Sequence, residues 1–358
     1  MTKSSFRGKM FEILCRILMK NCGYTLIKHD GSKVYHGNCG TKKWDIKMQG
    51  RGTRHQIDLP YDYDYKIPMI NPIRVIGEVK FYDRYNNNGR RKNLSISKVR
   101  DFFGVVEDIK QNYFLSTHST LLNNIDRKLE QGLFISASGF SKGAQRFALA
   151  HNIKLLSPGD TPYVSEIVDI IDTLASAIFD SSMSELDKDE NAELVLDHIR
   201  TNVYSQYNST LNSQLLTINE TERISELVEK LRQWNIGIYT YFFGTTVTGH
   251  LLLFVSDKRN LSELVRDRKE IKVRYSYNYA VDSNEVDKQI TMELVEDNVM
   301  FHTTIPSEIH SAIQQEHEVN NTAYDAKENF LGEVYTLIKD EEGNAKVVRF
   351  TYSRDNHR

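Results

Sequence analysis

Cysteine is scarce. Cys15, Cys22 and Cys39 are the three thiols in 358 residues, an odd number that builds no disulfide framework. That scarcity fits a reducing compartment, and a cytoplasmic location is expected. Long apolar runs are missing too. The longest stretch without a formal charge, Gln233 to Ser256, contains Asn235, His250 and several Gly and Thr residues, which would be expensive at bilayer depth. β-structure accounts for it better, so no membrane partner is expected. The opening MTKSSFRGKMFEILCRILMK breaks its apolar periodicity with charges and lacks the continuous core of a signal peptide. Internal repeats and low-complexity tracts are absent.

Apolar residues at 40% and charged residues at 26% fit a globular chain, and the length allows two domains. The net charge of −2 hides a strong asymmetry. Residues 1–160 hold 27 Lys+Arg and 14 Asp+Glu, 27 − 14 = +13, and residues 161–358 hold 19 and 34, 19 − 34 = −15. A basic half suits a polyanion, because neutralised phosphates release condensed counterions. Two unrelated solvated surfaces would give the same sums.

Helical spacing of Phe11, Leu14, Cys15 and Leu18 predicts a helix over 4–20 behind a Ser4–Ser5 cap. A strand is expected to end in Gln56-Ile57-Asp58-Leu59, and Tyr61 to Pro72 to be a loop. Ile73 to Tyr82 is the clearest strand. A helix over Ser97–Asn112, a strand at Leu133–Ala137, a helix at Ser141–His151 and a strand at Ile153–Leu156 complete an α/β layer. Residues 161–191 read as a helix followed by a linker, DSSMSELDKDEN at Asp180–Asn191. Residues 192–358 read as a separate acidic α+β domain. Helices are expected near 192–204, 220–233, 306–316 and 323–331, and strands near 236–243, 250–256, 272–279, 290–295 and 346–352.

Glu78-Val79-Lys80 is the centre of the chemistry. An acid two residues before a lysine means nothing alone, since Asp45–Lys47, Asp108–Lys110, Asp126–Lys128, Asp267–Lys269, Glu270–Lys272 and Asp325–Lys327 repeat it. Context separates this instance. Ile73, Val75, Gly77, Val79 and Phe81 alternate into a core, so Glu78 and Lys80 project together from the other face. Opposite charges on a well-packed strand need partners, and a structural ion pair or a metal would each supply one. As a metal site, Glu78 is a hard oxygen ligand and Lys80 touches the attacking water or a phosphate. Asp58 is the natural second carboxylate. Gln56 shares its face, and Gly50 and Gly52 flank Arg51 in a backbone able to approach a phosphate.

Four pieces in this order resemble the PD-(D/E)xK nuclease superfamily, and within it the Mrr-type restriction endonuclease-like domains. They are Glu12 in Phe11-Glu12-Ile13-Leu14, the string Gly50-Arg51-Gly52-Thr53-Arg54-His55-Gln56-Ile57-Asp58, the string Gly77-Glu78-Val79-Lys80, and Leu133–Ala144 with Ala148 and Ile153. The likeness covers residues 6–157. Its departures are a proline after Asp58 instead of before it and a long insertion that separates Asp58 from Glu78 by 20 positions, since 78 − 58 = 20. The resemblance implies a restriction-endonuclease-like fold over 1–160, a mixed central sheet flanked by helices. It implies Mg²⁺, for which Mn²⁺ can substitute, bound by Asp58, Glu78 and the Val79 carbonyl. Lys80 would position or help deprotonate water, Glu12 would orient Lys80 or assist a second metal, and Gln56 would support the cluster. The implied activity is hydrolysis of DNA in prokaryotic restriction or antiviral defence. A structure-specific repair or junction-resolving nuclease and a non-catalytic DNA-binding scaffold are the rivals.

Arg51, Arg54, Arg84, Arg90, Arg91, Lys92 and Lys142 are the expected DNA contacts, with Lys98, Arg100 and Arg146 nearby. The acidic half is expected to regulate, oligomerise, bind a protein partner or recognise the target, and cutting both strands calls for a homodimer or higher homo-oligomer. Cys22, His29, His36 and Cys39 match no compact zinc spacing. His55 reads as an exposed strand-edge residue. Tyr275, Tyr277 and Tyr279 beside Arg274 read as a half-buried strand before a base-stacking platform.

Overall fold

Helix α1 (Lys3–Asn21) is apolar on nearly every side, burying Phe6, Met10, Phe11, Leu14, Ile17 and Leu18. A helix of that kind belongs between layers. Its N-cap is Thr2, whose hydroxyl accepts the Ser5 amide, so the expected Ser4–Ser5 cap lies inside the first turn. A computed structural model describes residues 1–27, 34–36, 46–63, 72–83, 85, 92–111, 128–204, 217–257, 261–265, 268–277, 288–320, 328–339 and 345–353.

Beneath α1 lies a five-stranded mixed sheet. Its strands are β1 (Thr25–Leu26), β5 (Leu59–Tyr63), β6 (Ile73–Lys80), β7 (Leu129–Ser136) and β8 (Lys154–Leu156), in the order β1-β5-β6-β7-β8. β5 runs antiparallel to β6, with Leu59 opposite Gly77, and β6, β7 and β8 run parallel. Parallel neighbours need crossovers, which α2 (Ile96–Lys110) and α3 (Lys142–Ala150) supply. A smaller antiparallel sheet holds β2 (Val34–His36), β3 (Ile46–Gln49) and β4 (Arg54–Ile57). The strand expected to end in Gln56-Ile57-Asp58-Leu59 is broken at Asp58 into β4 and β5 of different sheets, and six strands precede α2 where two or three are expected. The expected β6, α2, β7, α3 and β8 are observed. The expected loop over Tyr61–Pro72 is not, because Tyr61–Tyr63 are paired in β5 with Tyr61 and Tyr63 buried. Residues 64–71 of that stretch lie outside the described residues.

β6 is covered on both faces. Val75, Val79 and Phe81 enter the core under α1, while Ile76 enters the core under α2 with Val99, Phe102 and Phe134. Between the half-buried Ile73 at its start and its last residues the strand is closed off, and at its end it comes into reach of solvent at Glu78 and Lys80. The sheet thus holds the site backbone from two sides and leaves its end open.

The α1 core continues into α4 (Val164–Phe179), α5 (Glu185–Tyr204) and α6 (Ile218–Asn235), through Ile167, Ile171, Val195, Leu227, Leu231 and Trp234. Where composition suggests a linker over Asp180–Asn191, the chain makes a short turn and enters α5 at Glu185. The acidic first turns of α5 are favourable at a helix N-terminus, and Ala192, Val195, Leu196 and Ile199 carry the buried stripe that follows.

The rest is a closed barrel. β9 (Thr240–Thr246), β10 (Leu251–Ser256), β11 (Glu270–Tyr277), β12 (Lys288–Leu294), β13 (Val299–Ile305), β14 (Glu333–Lys339) and β15 (Ala345–Tyr352) close in the order β10-β13-β12-β11-β15-β14-β9. The short α7 (Leu261–Val265) and α8 (Ser307–Asn320) accompany it. β13, β14 and α7 are absent from the sequence expectations. The barrel is filled by side chains: the Phe242 ring centroid lies 5.0 Å from Phe254, 5.1 Å from Phe350 and 5.2 Å from Phe301. Strand alternation places Phe242 inside the barrel and its neighbour Tyr241 in the α1 core. Among the described residues no helix is long and apolar enough to cross a membrane.

Phe242→Ala removes the ring at the centre of this cluster, where collapse is blocked by three other aromatics. It is expected to lower unfolding stability by about 3–5 kcal/mol in urea titrations. A change below about 1 kcal/mol would contradict a packed barrel.

Candidate functional site

The site forms where β5 and β6 stop pairing. Leu59 is the first β5 residue in register, opposite Gly77, so Asp58 sits at a bend beside Glu78 just outside the ladder. The Val79 amide donates to Asp58 Oδ2 at 2.9 Å. The carboxylate therefore occupies the place of a strand partner and is fixed between Glu78 and Lys80. Gly77 makes this close approach feasible, since a Cβ there would lie 2.6 Å from Leu59 Cβ.

Glu78 and Lys80 project together, as the alternation predicts, and form an ion pair. Their side chains are 23% and 38% exposed, so both can be reached from solvent. Burial alone would lower the Lys80 pKa, but the Glu78 carboxylate beside it and the more distant Asp58 outweigh that, and the pKa is raised. Asp58 is pushed the unusual way for a carboxyl, up to about 7. Burial is the largest cause, followed by the negative charges of Glu78 and Glu12, against which the Val79 amide and Lys80 pull only partly. The compartment holds more negative charge than its own cation balances.

Glu12 lies on α1 within the field of Asp58, but its ion pair is with Arg16 and not with Lys80. Arg16 is buried, donates through Nε to Glu12 Oε1 at 2.8 Å and through Nη2 to the Asp58 carbonyl at 3.1 Å. Sequence reasoning missed it. The signal was present as a Glu12–Arg16 pair at i,i+4 on a helix otherwise apolar there. Gln56 is exposed on β4, opposite Lys47 in the β3–β4 register.

The tip of the β3–β4 hairpin carries the exposed Arg51 and Arg54. It is tied to α2 by Asp108, whose Oδ1 accepts the Gly52 amide at 2.8 Å and whose Oδ2 meets His55 Nε2 at 2.7 Å. His55, expected to stand exposed, is therefore held against Asp108. Those contacts, His55 first and the Gly52 and Thr53 amides after it, keep the Asp108 pKa low. A Cβ at Gly50 would lie 1.9 Å from Asp108 Oδ2, which explains the glycine.

Lys142 and Arg146 are exposed on α3, and the Arg100 guanidinium lies 5.5 Å from the Phe147 ring centroid. Lys92 is exposed and paired with Asp83 at 3.1 Å. Arg84, Arg90 and Arg91 lie outside the described residues. So do His29, Cys39 and the His36 side chain of the unusual zinc spacing, while burial raises the Cys22 thiol to about 12. Tyr275 is buried in the barrel core, 6.0 Å from Tyr352, so it offers no stacking platform; Tyr279 and the Tyr277 side chain lie outside the described residues.

No protein-family model matches the chain, and no curated protein matches it. It is similar to a solved structure, the crystal structure of the protein of unknown function AF1548, at 14% identity, covering 64% of this chain and 98% of that chain. The TM-score is 0.32, a likeness too slight to bear on fold or function.

The raised Asp58 pKa has a signed consequence for stability. Below about pH 4 the carboxyl is neutral folded and unfolded, so it costs nothing. As pH rises, the unfolded chain releases the proton first, and the folded state loses stability until Asp58 ionises near 7. Asp58→Asn has no proton to lose. In cation-free buffer its melting temperature relative to the natural chain is expected to climb by roughly 5 °C between pH 4 and pH 8. A pH-independent difference would show that neither burial nor the neighbouring carboxylates raise the Asp58 pKa in the folded chain.

Proposed function

We propose that the chain is a divalent-metal-dependent nuclease that hydrolyses DNA phosphodiester bonds, with a restriction-endonuclease-like first part. The meeting of Asp58, Glu78 and Lys80 at the end of one strand carries the reading. Support comes from the Asp58 carboxylate bonded to the amide between the other two residues. Further support comes from the order of α1, the antiparallel β5–β6 pair, α2, β7, α3 and β8 around one mixed sheet.

The donors available to an ion are the Asp58 and Glu78 carboxylates and the Val79 carbonyl. Among the described residues no group of three or more His, Cys, Asp or Glu side chains is placed to hold a metal, so the protein offers an open pair and not a cage. Mg²⁺ suits such a pair, since it keeps several waters and commonly takes one or two carboxylates beside substrate phosphate. Mn²⁺ is expected to substitute. The buried position of Asp58 and, after it, the negative charges of Glu78 and Glu12 make its carboxylate costly in the absence of a cation, which supports a cationic occupant. When bound, the ion would supply Lewis acidity and an acidified water.

The chain's own groups then have distinct tasks. Glu78 holds the Lys80 ammonium in place, and Lys80 offsets charge developing on the attacked phosphate and orients the incoming water. The nucleophile is water, so no covalent enzyme intermediate forms. Arg51, Arg54, Lys142 and Arg146, all exposed, would grip backbone phosphates and make binding weaken steeply with salt. A cytoplasmic role in restriction or antiviral defence, as a homodimer able to cut both strands, is the setting this chemistry suits.

Plasmid cleavage with Mg²⁺ tests the reading. The natural chain is expected to nick or linearise DNA, to stop with EDTA and to resume with Mn²⁺. Lys80→Ala, Glu78→Ala and Asp58→Ala should each lose about 100-fold or more in rate. Equal cutting by all four proteins would remove the proposed centre. Mg²⁺-independent binding without cleavage would favour a DNA-binding scaffold.

A further inference from the structure

We propose that Arg16 is a positioning residue of this site, pinning the Asp58 bend through its backbone carbonyl, and that Glu12 acts by orienting the Arg16 guanidinium. The purpose of this pin rests on the nuclease reading above. Its contacts do not.

Arg16 stands one turn beyond Glu12 on α1 and is 5% exposed. Burying a guanidinium is costly unless its donors are matched, and here the planar fork spans two acceptors from different elements. Nε meets Glu12 Oε1 at 2.8 Å and Nη2 meets the Asp58 carbonyl at 3.1 Å. The arginine's own carbonyl accepts the Tyr61 hydroxyl at 3.3 Å, so α1 is joined both to the bend and to β5 just beyond it. Burial opposes the charge on Arg16, but Glu12, with Tyr61 and Tyr204 nearby, keeps its pKa raised.

The bend needs such a partner. Asp58 lies between β4, which belongs to the small sheet, and β5, which belongs to the large one. Its carboxylate takes the Val79 amide and its carbonyl takes Arg16. Rotation of this residue would withdraw the carboxylate from Glu78 and Lys80 without disturbing either strand. Nη2 lies within reach of both Glu12 and the Asp58 carbonyl, and Nε adds a second donor to Glu12. Arg16→Lys should keep the charge but lose that second donor and the planar geometry, and so loosen the bend.

Two measurements on the full chain test the proposal. Hydrogen exchange at the Val79 amide, read by NMR in cation-free protein, should accelerate about tenfold or more in Arg16→Ala while the Ile135 amide on β7 stays protected. If Arg16→Ala fails to fold, Arg16→Lys should show the same selective loss at Val79. In cleavage assays, Arg16→Ala and Glu12→Gln are each expected to lower kcat about 10- to 100-fold with KM unchanged. The double variant should be no worse than the weaker single, and guanidinium ion should partly restore Arg16→Ala. Unchanged Val79 exchange in both arginine variants would overturn the pin. Multiplying losses in the double variant would instead give Glu12 a role of its own at the ion and overturn its assignment here. A natural chain that cuts no DNA would defeat the nuclease reading, while the exchange measurement would still decide the pin.

Discussion

The bond from the Val79 amide to the Asp58 carboxylate is the constraint on which the site depends. It replaces a ladder hydrogen bond with a side chain, at the one place where two strands part company. Everything around it follows from satisfying a buried anion. Glu78 and Lys80 project beside it because their neighbours alternate into packed cores, Gly77 lets Leu59 close in, and Arg16 holds the reverse side of the same residue. A free carboxylate on a mobile loop would keep an ordinary pKa. Fixed in a half-closed compartment with two other acids, this one carries its charge only at a cost, and that cost is what a cation would relieve.

Layering makes the constraint stiff. β6 is packed under α1 on one face and under α2 on the other, so its backbone cannot slide to ease the crowding at its end. α1 is itself clamped between the sheet and the α4, α5 and α6 helices. Residues far along the chain therefore stabilise the helix that carries Glu12 and Arg16. The Tyr204 hydroxyl at the end of α5 reaches the Ile13 carbonyl between those two residues, at 3.5 Å. Through such contacts the acidic half of the chain contributes to the shape of the basic half.

Much of this was legible in the sequence, for reasons of periodicity. β6 could be read because a period-2 pattern around an acid and a lysine fixes which face each takes, and α2 and α3 because their apolar stripes repeat at helical spacing. The failures have physical causes. Pro60 and the acidic tyrosine-rich run after it read as a loop, yet proline is tolerated in a strand when the amide it lacks is not required, and Tyr61 is buried in the α1 core while Tyr63 is buried against Tyr24. Composition made Asp180–Asn191 look like a linker, because acidic residues suit both disordered tethers and helix N-termini. β13 and β14 escaped notice because barrel strands alternate polar and apolar residues over short spans that carry little signal individually. The Glu12–Arg16 spacing marks a pair but not its role, because an arginine on a helix ordinarily faces water, and the contact with the Asp58 carbonyl is a matter of tertiary placement. His55 was misjudged for the same reason: Asp108, 53 residues away in sequence, supplies its partner.

The β9–β10 hairpin belongs to two cores at once. Phe242 and Phe254 fill the barrel, while Tyr241, Leu253 and Val255 point outward into the helices around α1. Pulling the barrel away would strip both a wall of its own interior and the cover over Ile17 and Trp234, whose carbonyls meet the Tyr241 hydroxyl. The C-terminal third is thus not a passenger on a tether but a shared wall, and a chain truncated before residue 240 would leave the helix bearing Glu12 and Arg16 with a greasy, unroofed flank.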